Sequence, residues 1–459
     1  MTRHRTLAAA LLAATACCAL AQMPSPPPAG PDLAEIFSDP AGWSGTAEAF
    51  AGSRRDAGFR ILDPGKAAVS TDRGRLRFLG LEACEARVYF EGDAAKRVEI
   101  SVYNKGDAGP RTQAQFDVLV ESLQAKLAAF AKDPGASVRV ANSRANYIVK
   151  RHQWAKSSPA IQLEWAYVEP HRSKGEDVAY NAEYVTVLLV PGSAARTMAS
   201  ASGGTSALAL GAARKLADNI RRAPEGDVWV DGVPMVDQGQ KGYCAAATSE
   251  RVLRYYGLNV DQHQIAQLAK TAAESGTSIE GMVNAIGLVG RAFQLDKRDL
   301  IPSTYGGSFE GGPHEKLIDQ YNSAAKRAKK PVIDWKQYTA NRTVNLPAIW
   351  SAMDPAVLLE ARASQKQNLA QFEKDVRNYV DQGVPLLWSC LVGMYPEEPP
   401  LGQQGAFGHI RMIIGYNART GEILYSDTWG PAHALKRMPK LQAWAMTKGL
   451  FVLKPRNVR

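Results

Sequence analysis

Cysteine is scarce in this chain, and no metal-binding pattern is built from it. Of the five cysteines in 459 residues, Cys17 and Cys18 fall in an N-terminal leader, so the chain beyond it keeps Cys84, Cys244 and Cys390. An odd set of thiols is not a disulfide scaffold; the unpaired one is a core thiol, an intermolecular partner or a reactive nucleophile. No CxxC pair, HExxH helix or clustered His/Cys spacing occurs, which argues against zinc, and no cofactor is expected. Long apolar runs are also missing. The leader's stretch of about a dozen apolar residues falls short of the roughly 20 that span a bilayer, so no transmembrane helix is expected. Nor do lysine and arginine form a stripe interleaved with aromatics. The 55 basic and 45 acidic residues are interspersed and leave a formal net charge of +10, to which Arg3 and Arg5 of the leader contribute. That excess suits anionic surfaces, but nucleic acid is not an expected partner. With 45% hydrophobic and 22% charged residues, disordered and collagen-like classes are excluded as well.

The chain begins MTRHRTLAAALLAATACCALA, a short basic start, an apolar run and a small-residue Ala19-Leu20-Ala21 end. Residues 1–21 therefore read as a signal peptide, with export to a periplasmic or extracellular compartment. Lipid anchoring through Cys17 or Cys18 is the alternative, although Ala14 stands where such sites usually carry leucine. Residues 22–32 are a proline-rich tether. From 33 to 191 short alternating runs such as Val98, Ile100 and Val102 predict half-buried strands. Among them Phe116, Val120, Leu123 and Leu127 fall at helical spacing behind a capping box of Thr112 and Gln115. This predicts an N-terminal α+β domain. Its role is substrate presentation, inhibition in cis through the catalytic cleft, attachment, or none beyond a solvated surface, and it is either a removable propeptide or, as its size and strands favour, a permanent domain. A Ser/Gly/Ala-rich linker and short helix occupy 192–225, and a second domain runs from 226 to 459.

In the second domain VDQGQKGYCAAAT, Val236 to Thr248, is a glycine-rich turn entering a helix predicted from Cys244 to Tyr256. Helices are also predicted over Asp261–Ala273 and Gly276–Leu288, and a polar, loop-rich section over Arg291–Asn368. Strands follow at VPLLWSC, HIRMIIGYN and EILYSDTWG. A thiol at a helix start is favoured as thiolate by the unpaired N–H groups there. Acyl transfer then needs a base, and His409 is the candidate, pointing away from the apolar face of its strand together with Arg411. Its second nitrogen needs an acceptor, for which Asp427 on the next strand is placed. An unbroken hairpin turning at ARTG would set His409 opposite Gly430, so a bulge or twist must bring Asp427 to it. An amide N–H donor for a developing oxyanion is supplied by Gln238, with Gln240 as its rival. His433 is the alternative histidine. Cys390 reads as a core thiol or as a disulfide partner of Cys84. Trp429 either shields the imidazole or is plain core.

These residues carry a resemblance. DQGQKGYCAAAT resembles the oxyanion-glutamine and nucleophile motif of papain-like cysteine peptidases, GHIRMIIGYN their histidine strand, and SDTWG their Asn-Ser-Trp-Gly segment with aspartate in place of asparagine. LRYYGLNVDQHQIAQLAKTAAESGTSIEGMVNAI is similar to the bacterial branch that includes bacteriocin-leader (double-glycine) peptidases. The resemblance covers about Val228 to Lys454, with Arg291–Asn368 unmatched. Ala245 stands where papains carry an aromatic, and their neighbouring disulfide cysteine is absent. The resemblance implies a papain-like α+β domain with a helical half and an antiparallel half. It implies Cys244 as nucleophile, His409 as base and acid, Asp427 as its orienter and Gln238 as oxyanion donor, acting on a peptide or protein substrate. Transglutaminase or cell-wall amidase chemistry, and a silent binding module, are the other readings of the same residues.

Overall fold

The computed structural model describes residues 30–140, 147–173, 176–192, 216–239, 242–258, 260–268, 287, 295–301, 309–340, 343–401 and 406–455. The signal peptide, most of the proline-rich tether, most of the linker, Gln240 and most of the predicted helix at Gly276–Leu288 lie outside the described residues. Among the described residues no helix is long and apolar enough to cross a membrane.

The N-terminal part is an eight-stranded antiparallel sheet. Its strands are β1 (Arg60–Asp63), β2 (Ala67–Ser70), β3 (Glu85–Glu91), β4 (Ala94–Asn104), β5 (Ala136–Val138), β6 (Tyr147–Trp154), β7 (Ala160–Val168) and β8 (Asn181–Val190), in spatial order β1-β2-β3-β4-β8-β7-β6-β5. Helix α1 (Gln113–Ala131) starts at the capping box: Thr112 accepts from Gln115 N, and Gln115 from Thr112 N. It lays Phe116, Val120, Leu123 and Leu127 onto β7 and β8, where they join Val98, Ile100, Leu163 and Val187 in one core.

The C-terminal part is a second antiparallel sheet around which helices are folded. Its strands are β9 (Ile220–Arg222), β10 (Asp227–Val230), β11 (Leu295–Ile301), β12 (Leu386–Val392), β13 (Phe407–Asn417), β14 (Glu422–Ser426), β15 (Lys436–Pro439) and β16 (Thr447–Pro455). The order is β9-β10-β13-β12-β16-β11, with β14 pairing β13 and β15 pairing β14. Helix α2 (Cys244–Tyr255) packs against β13, and α3 (Gln262–Leu268) against α2. Leu386–Val392 is buried at every position, the pattern of a strand covered on both faces.

The section expected to be loop-rich is largely regular. Leu295–Ile301 pairs β16 at the sheet edge, and helices α4 (Pro313–Arg327), α5 (Leu346–Ala352) and α6 (Pro355–Ala363) follow. In α4, Pro313 occupies the first turn, where its missing N–H costs nothing, and Leu317, Ile318, Tyr321, Ala324 and Ala325 form its buried stripe. The charged and polar residues of its other face, among them Glu315, Lys316, Asp319 and Lys326, hide this periodicity in the sequence. Cys84 and Cys390 sit in the cores of the two separate parts; the Cys84 thiol donates to Val102 O at 3.7 Å, and neither is in a disulfide.

Candidate active site

Helix α2 begins at Cys244, without a side-chain cap from Tyr243, and is buried from Cys244 to Leu253. Its first turn thus presents the sulfur beside unpaired backbone N–H groups. Cys244, Thr248 and Arg251 lie four and then three residues apart, on one face. Thr248 Oγ1 donates to Ile410 O at 3.1 Å, which holds this face on β13 next to His409. Arg251 reaches further: Nη1 donates to Asp427 O at 2.6 Å, Nη2 to Ser426 Oγ at 2.7 Å and Nε to Pro234 O at 2.8 Å. One buried guanidinium therefore joins the helix, the end of β14 and the segment before Gln238.

The hairpin between β13 and β14 explains how Asp427 reaches His409. From Asn417↔Glu422 to Gly415↔Leu424 the register is regular, but the next pair is Ile413↔Tyr425, so Ile414 is an extra residue. In the unbroken register Asp427 would fall opposite Met412 and face away from His409, because strand side chains alternate faces. The bulge advances the register by one, continuing it sets Asp427 opposite Arg411, and Arg411 shares a face with His409. Asp427 is then the diagonal neighbour of His409. Its Oδ1 lies 2.6 Å from His409 Nε2.

With Nε2 turned to Asp427, the other ring nitrogen, Nδ1, is the one left for the thiol, and the Cys244 side chain is hydrogen-bonded to His409. Both groups are buried. Burial pushes the Cys244 thiol up, but the hydrogen bond and charge of His409 outweigh it and hold the thiol below its usual value of 9.0. Burial pulls the His409 imidazolium down, and the Asp427 carboxylate outweighs it, leaving a value of about 9. Burial likewise raises Asp427, yet His409 and Arg411 hold it well below the usual carboxylate range. The three groups thus favour thiolate, imidazolium and carboxylate together.

Arg411 is the charge behind Asp427. Its Nη1 lies 3.5 Å from Asp427 Oδ2, while both Nη atoms bind Glu397 at 2.8 and 2.9 Å. Lys436 Nζ and the Tyr425 hydroxyl also reach Glu397, at 2.9 and 2.8 Å. Trp429 stacks on His409 with centroids 4.2 Å apart and planes 12° apart, the geometry of a cation–π cover over an imidazolium. His433 lies across Trp429, with its ring near Lys436 Nζ at 3.4 Å and its backbone carbonyl accepting from Asp427 N at 2.9 Å. Among the described residues the histidine bonded to Cys244 is His409.

Gln238 belongs to the same cluster. Its N–H donates to Thr428 O at 2.9 Å, and its Oε1 accepts from Thr428 Oγ1 at 2.6 Å. The amide oxygen is therefore anchored one residue from Asp427, and the NH₂ end is the donor side of the amide plane. Asp237 Oδ1 accepts from Gly239 N at 2.8 Å to close the turn, whose Gly239 has φ +66°. The structure so brings Cys244, His409 and Asp427 into one hydrogen-bonded line and sets Gln238 against the segment that carries Asp427. Arg251, Arg411, Glu397 and Thr428 were not singled out as site residues from the sequence. The helical spacing of Cys244 with Arg251 and the strand alternation of His409 with Arg411 were the available signals. Among the described residues no cluster of His, Cys, Asp and Glu suits a metal ion.

Residues 230–451 match the model of the Peptidase_C39 like family. The C-terminal domain belongs to that C39-like, papain-like family of peptidases. The match spans the section at 291–368 that the sequence motifs alone did not connect. Among solved structures, the peptidase domain of Streptococcus ComA, a bi-functional ABC transporter involved in a quorum sensing pathway, is similar over 49% of this chain and 100% of its own length. The identity there is 15% and the TM-score 0.24. No curated protein sequence matches. In the C39-like domain the helix bearing the thiol and the sheet bearing His409 and Asp427 are the helical and antiparallel halves of a papain-like fold.

Proposed function

We propose that this C39-like protein is an exported cysteine peptidase that hydrolyses peptide bonds of a peptide or protein substrate through Cys244, His409, Asp427 and Gln238. The observation that carries the reading is the His409 ring, held by Asp427 Oδ1 at 2.6 Å on one nitrogen and hydrogen-bonded to the Cys244 thiol through the other. The Cys244 thiolate attacks the scissile carbonyl carbon, and the carbonyl electrons move onto oxygen. The Gln238 NH₂ and the Cys244 backbone N–H stabilise that oxyanion. His409 gives its proton to the leaving amine as the C–N bond breaks, which leaves a thioester. It then takes a proton from water, the hydroxide adds to the thioester, and the acid product departs as the thiol pair is restored. Asp427 holds the ring orientation and charge throughout, and Trp429 limits water on that side.

A peptide library is the test, run with wild type and Cys244→Ala alongside iodoacetamide labelling. Wild type is expected to cleave a subset of peptides and to label at Cys244, and Cys244→Ala to do neither. Undiminished cleavage by Cys244→Ala overturns the reading. Release of ammonia with amine incorporation, or muropeptide products alone, replaces it with transglutaminase or amidase chemistry. Gln238→Ala should lower kcat by about 10²-fold, the usual effect of losing one oxyanion donor, while Cys244 labels at the wild-type rate. Export is checked by N-terminal sequencing of the secreted form, expected to begin at Gln22.

A further inference from the structure

The N-terminal part meets the peptidase domain at the segment that carries Gln238 and Cys244, and it holds that segment from both ends. At the upstream end, Arg60 on β1 pairs with Asp237, the residue before Gln238, whose carboxylate also closes the turn through Gly239 N. Leu62, Ala67 and Val69 of β1 and β2 pack with Met235 in a small apolar cluster that crosses the boundary. Strand β1 also touches the turn at Pro431–His433, just beyond Trp429. At the downstream end, the Tyr243 ring lies on Gly106 so closely that a Cβ there would come within 2.7 Å of the Tyr243 hydroxyl oxygen. Tyr243 is the residue before Cys244.

A pro-segment that must leave would be expected to fill the substrate side of a cleft and to bind through exposed contacts. Here Arg87 of β3 is 2% exposed and binds Glu250 of α2, itself 0% exposed, at 2.8 Å. Arg254 of α2 donates to the Tyr89 hydroxyl at 2.6 Å and pairs with Glu99 at 3.2 Å. Gln264 of α3 donates to Glu164 of β7 at 2.9 Å. On α2, Glu250 and Arg254 lie one turn apart on a face other than that of Cys244, Thr248 and Arg251. Separating the parts would strand buried charges on each of them.

We propose that the N-terminal domain is a permanent clamp on the oxyanion turn and the nucleophile, with Arg60 and Gly106 as positioning residues, so that the active species is the two-domain protein and not a matured C-terminal fragment. This rests on the reading of Cys244 and Gln238 given above. Arg60 acts through Asp237 on the placement of Gln238. Gly106 acts through Tyr243 on the sulfur.

The experiment has a part that does not depend on turnover. A site-specific protease sequence inserted in the 193–215 segment allows the full chain to be nicked. The halves are expected to co-elute on gel filtration and to keep the activity of the intact chain; separation, or activity that rises when the N-terminal half is stripped away, overturns the clamp. In the intact chain Gly106→Ala displaces Tyr243 and should change the rate of Cys244 alkylation by iodoacetamide severalfold. An unchanged rate overturns the role of Gly106. With the best peptide from the library, Arg60→Ala should lower kcat roughly tenfold, the scale of a small misplacement near the reacting atoms. KM and Cys244 alkylation should stay within twofold, and Arg60→Lys should recover most of the loss. A loss confined to KM, or none, overturns the role of Arg60. If no peptide is cleaved, the peptidase reading fails while nicking and alkylation still decide the clamp.

Discussion

Asp427→Ala is expected to lower kcat by about 10³-fold, within the range that positioned acid–base groups contribute, and to move the basic limb of the pH–rate profile downward from about 9. The direction follows from what holds His409. Burial alone would pull the imidazolium below its ordinary 6.5, and Asp427 is the largest influence acting against burial. With the carboxylate gone, His409 loses its proton nearer neutrality, the proton donor for the leaving amine is lost earlier, and the thiol loses the charge that depresses it. Active thiolate–imidazolium pairs exist between the lowered value of Cys244 and the raised value of His409, so both limbs close in. Asp427→Asn keeps a hydrogen bond but not the charge, so it should retain orientation and still shift the basic limb.

The same pair shapes stability against pH. His409 has a folded value of about 9 against an ordinary 6.5. Its contribution is complete below 6.5 and is lost as pH rises through about 9. Each tenfold gain in proton affinity is worth about 1.4 kcal/mol, so the contribution amounts to about 3 kcal/mol. Asp427 has a depressed value, so its contribution is present above its ordinary 3.8 and is lost as pH falls toward the folded value. The two sides agree on a plateau between 3.8 and 6.5. Denaturation of Asp427→Ala across pH should flatten the alkaline fall that the wild-type protein shows.

How much of the site could be read from the chain depended on whether its determinants were local. Cys244 at a helix start after a glycine turn, and His409 and Asp427 on two strands joined by a turn, are short-range patterns, and the helix at Gln113–Ala131 was legible from its capping box and apolar spacing for the same reason. The bulge at Ile414 was not legible. Nothing in HIRMIIGYN marks one residue as extra, yet that residue decides which face Asp427 takes. Arg251 and Arg411 looked like ordinary charges because a buried arginine is explained only by partners from other elements, here the Asp427 carbonyl and Glu397. The helix at Pro313–Arg327 was missed because charged and polar residues surround its apolar stripe, and those at Leu346–Ala352 and Pro355–Ala363 because seven and nine residues are too few to show a helical period. Arg60 is the extreme case, since its partner Asp237 lies in the other half of the chain.

Arg87→Met is expected to cost about 3–5 kcal/mol, the usual consequence of removing one partner from a buried ion pair. Arg87 lies between Glu85 on its own strand and Glu250 on α2, with Asp261 3.6 Å away, and the Glu250 carboxylate also accepts from Arg254 Nε at 2.8 Å and Gln262 N at 2.7 Å. Burial pushes Glu250 up, Arg87 and Arg254 pull it back, and the result is about 7. At pH 8 Glu250 is therefore mostly charged while Arg87 is present; without Arg87 its value rises further, so the buried group either holds a charge that has lost its partner or takes up a proton, and both outcomes cost stability. Urea denaturation at pH 8 should show the lower midpoint, together with a broader transition as the two domains cease to unfold as one unit. The double variant Arg87→Met with Glu250→Leu should cost less than the two single changes added together, because the second removes the charge that the first strands. The pH dependence has its own sign. Glu250 has a folded value above its ordinary 4.5, so its contribution is complete below 4.5 and is lost as pH rises through about 7. Glu250→Gln, which keeps an acceptor for Gln262 N, should remove that decline, and a decline that persists unchanged would place its source elsewhere in the interface.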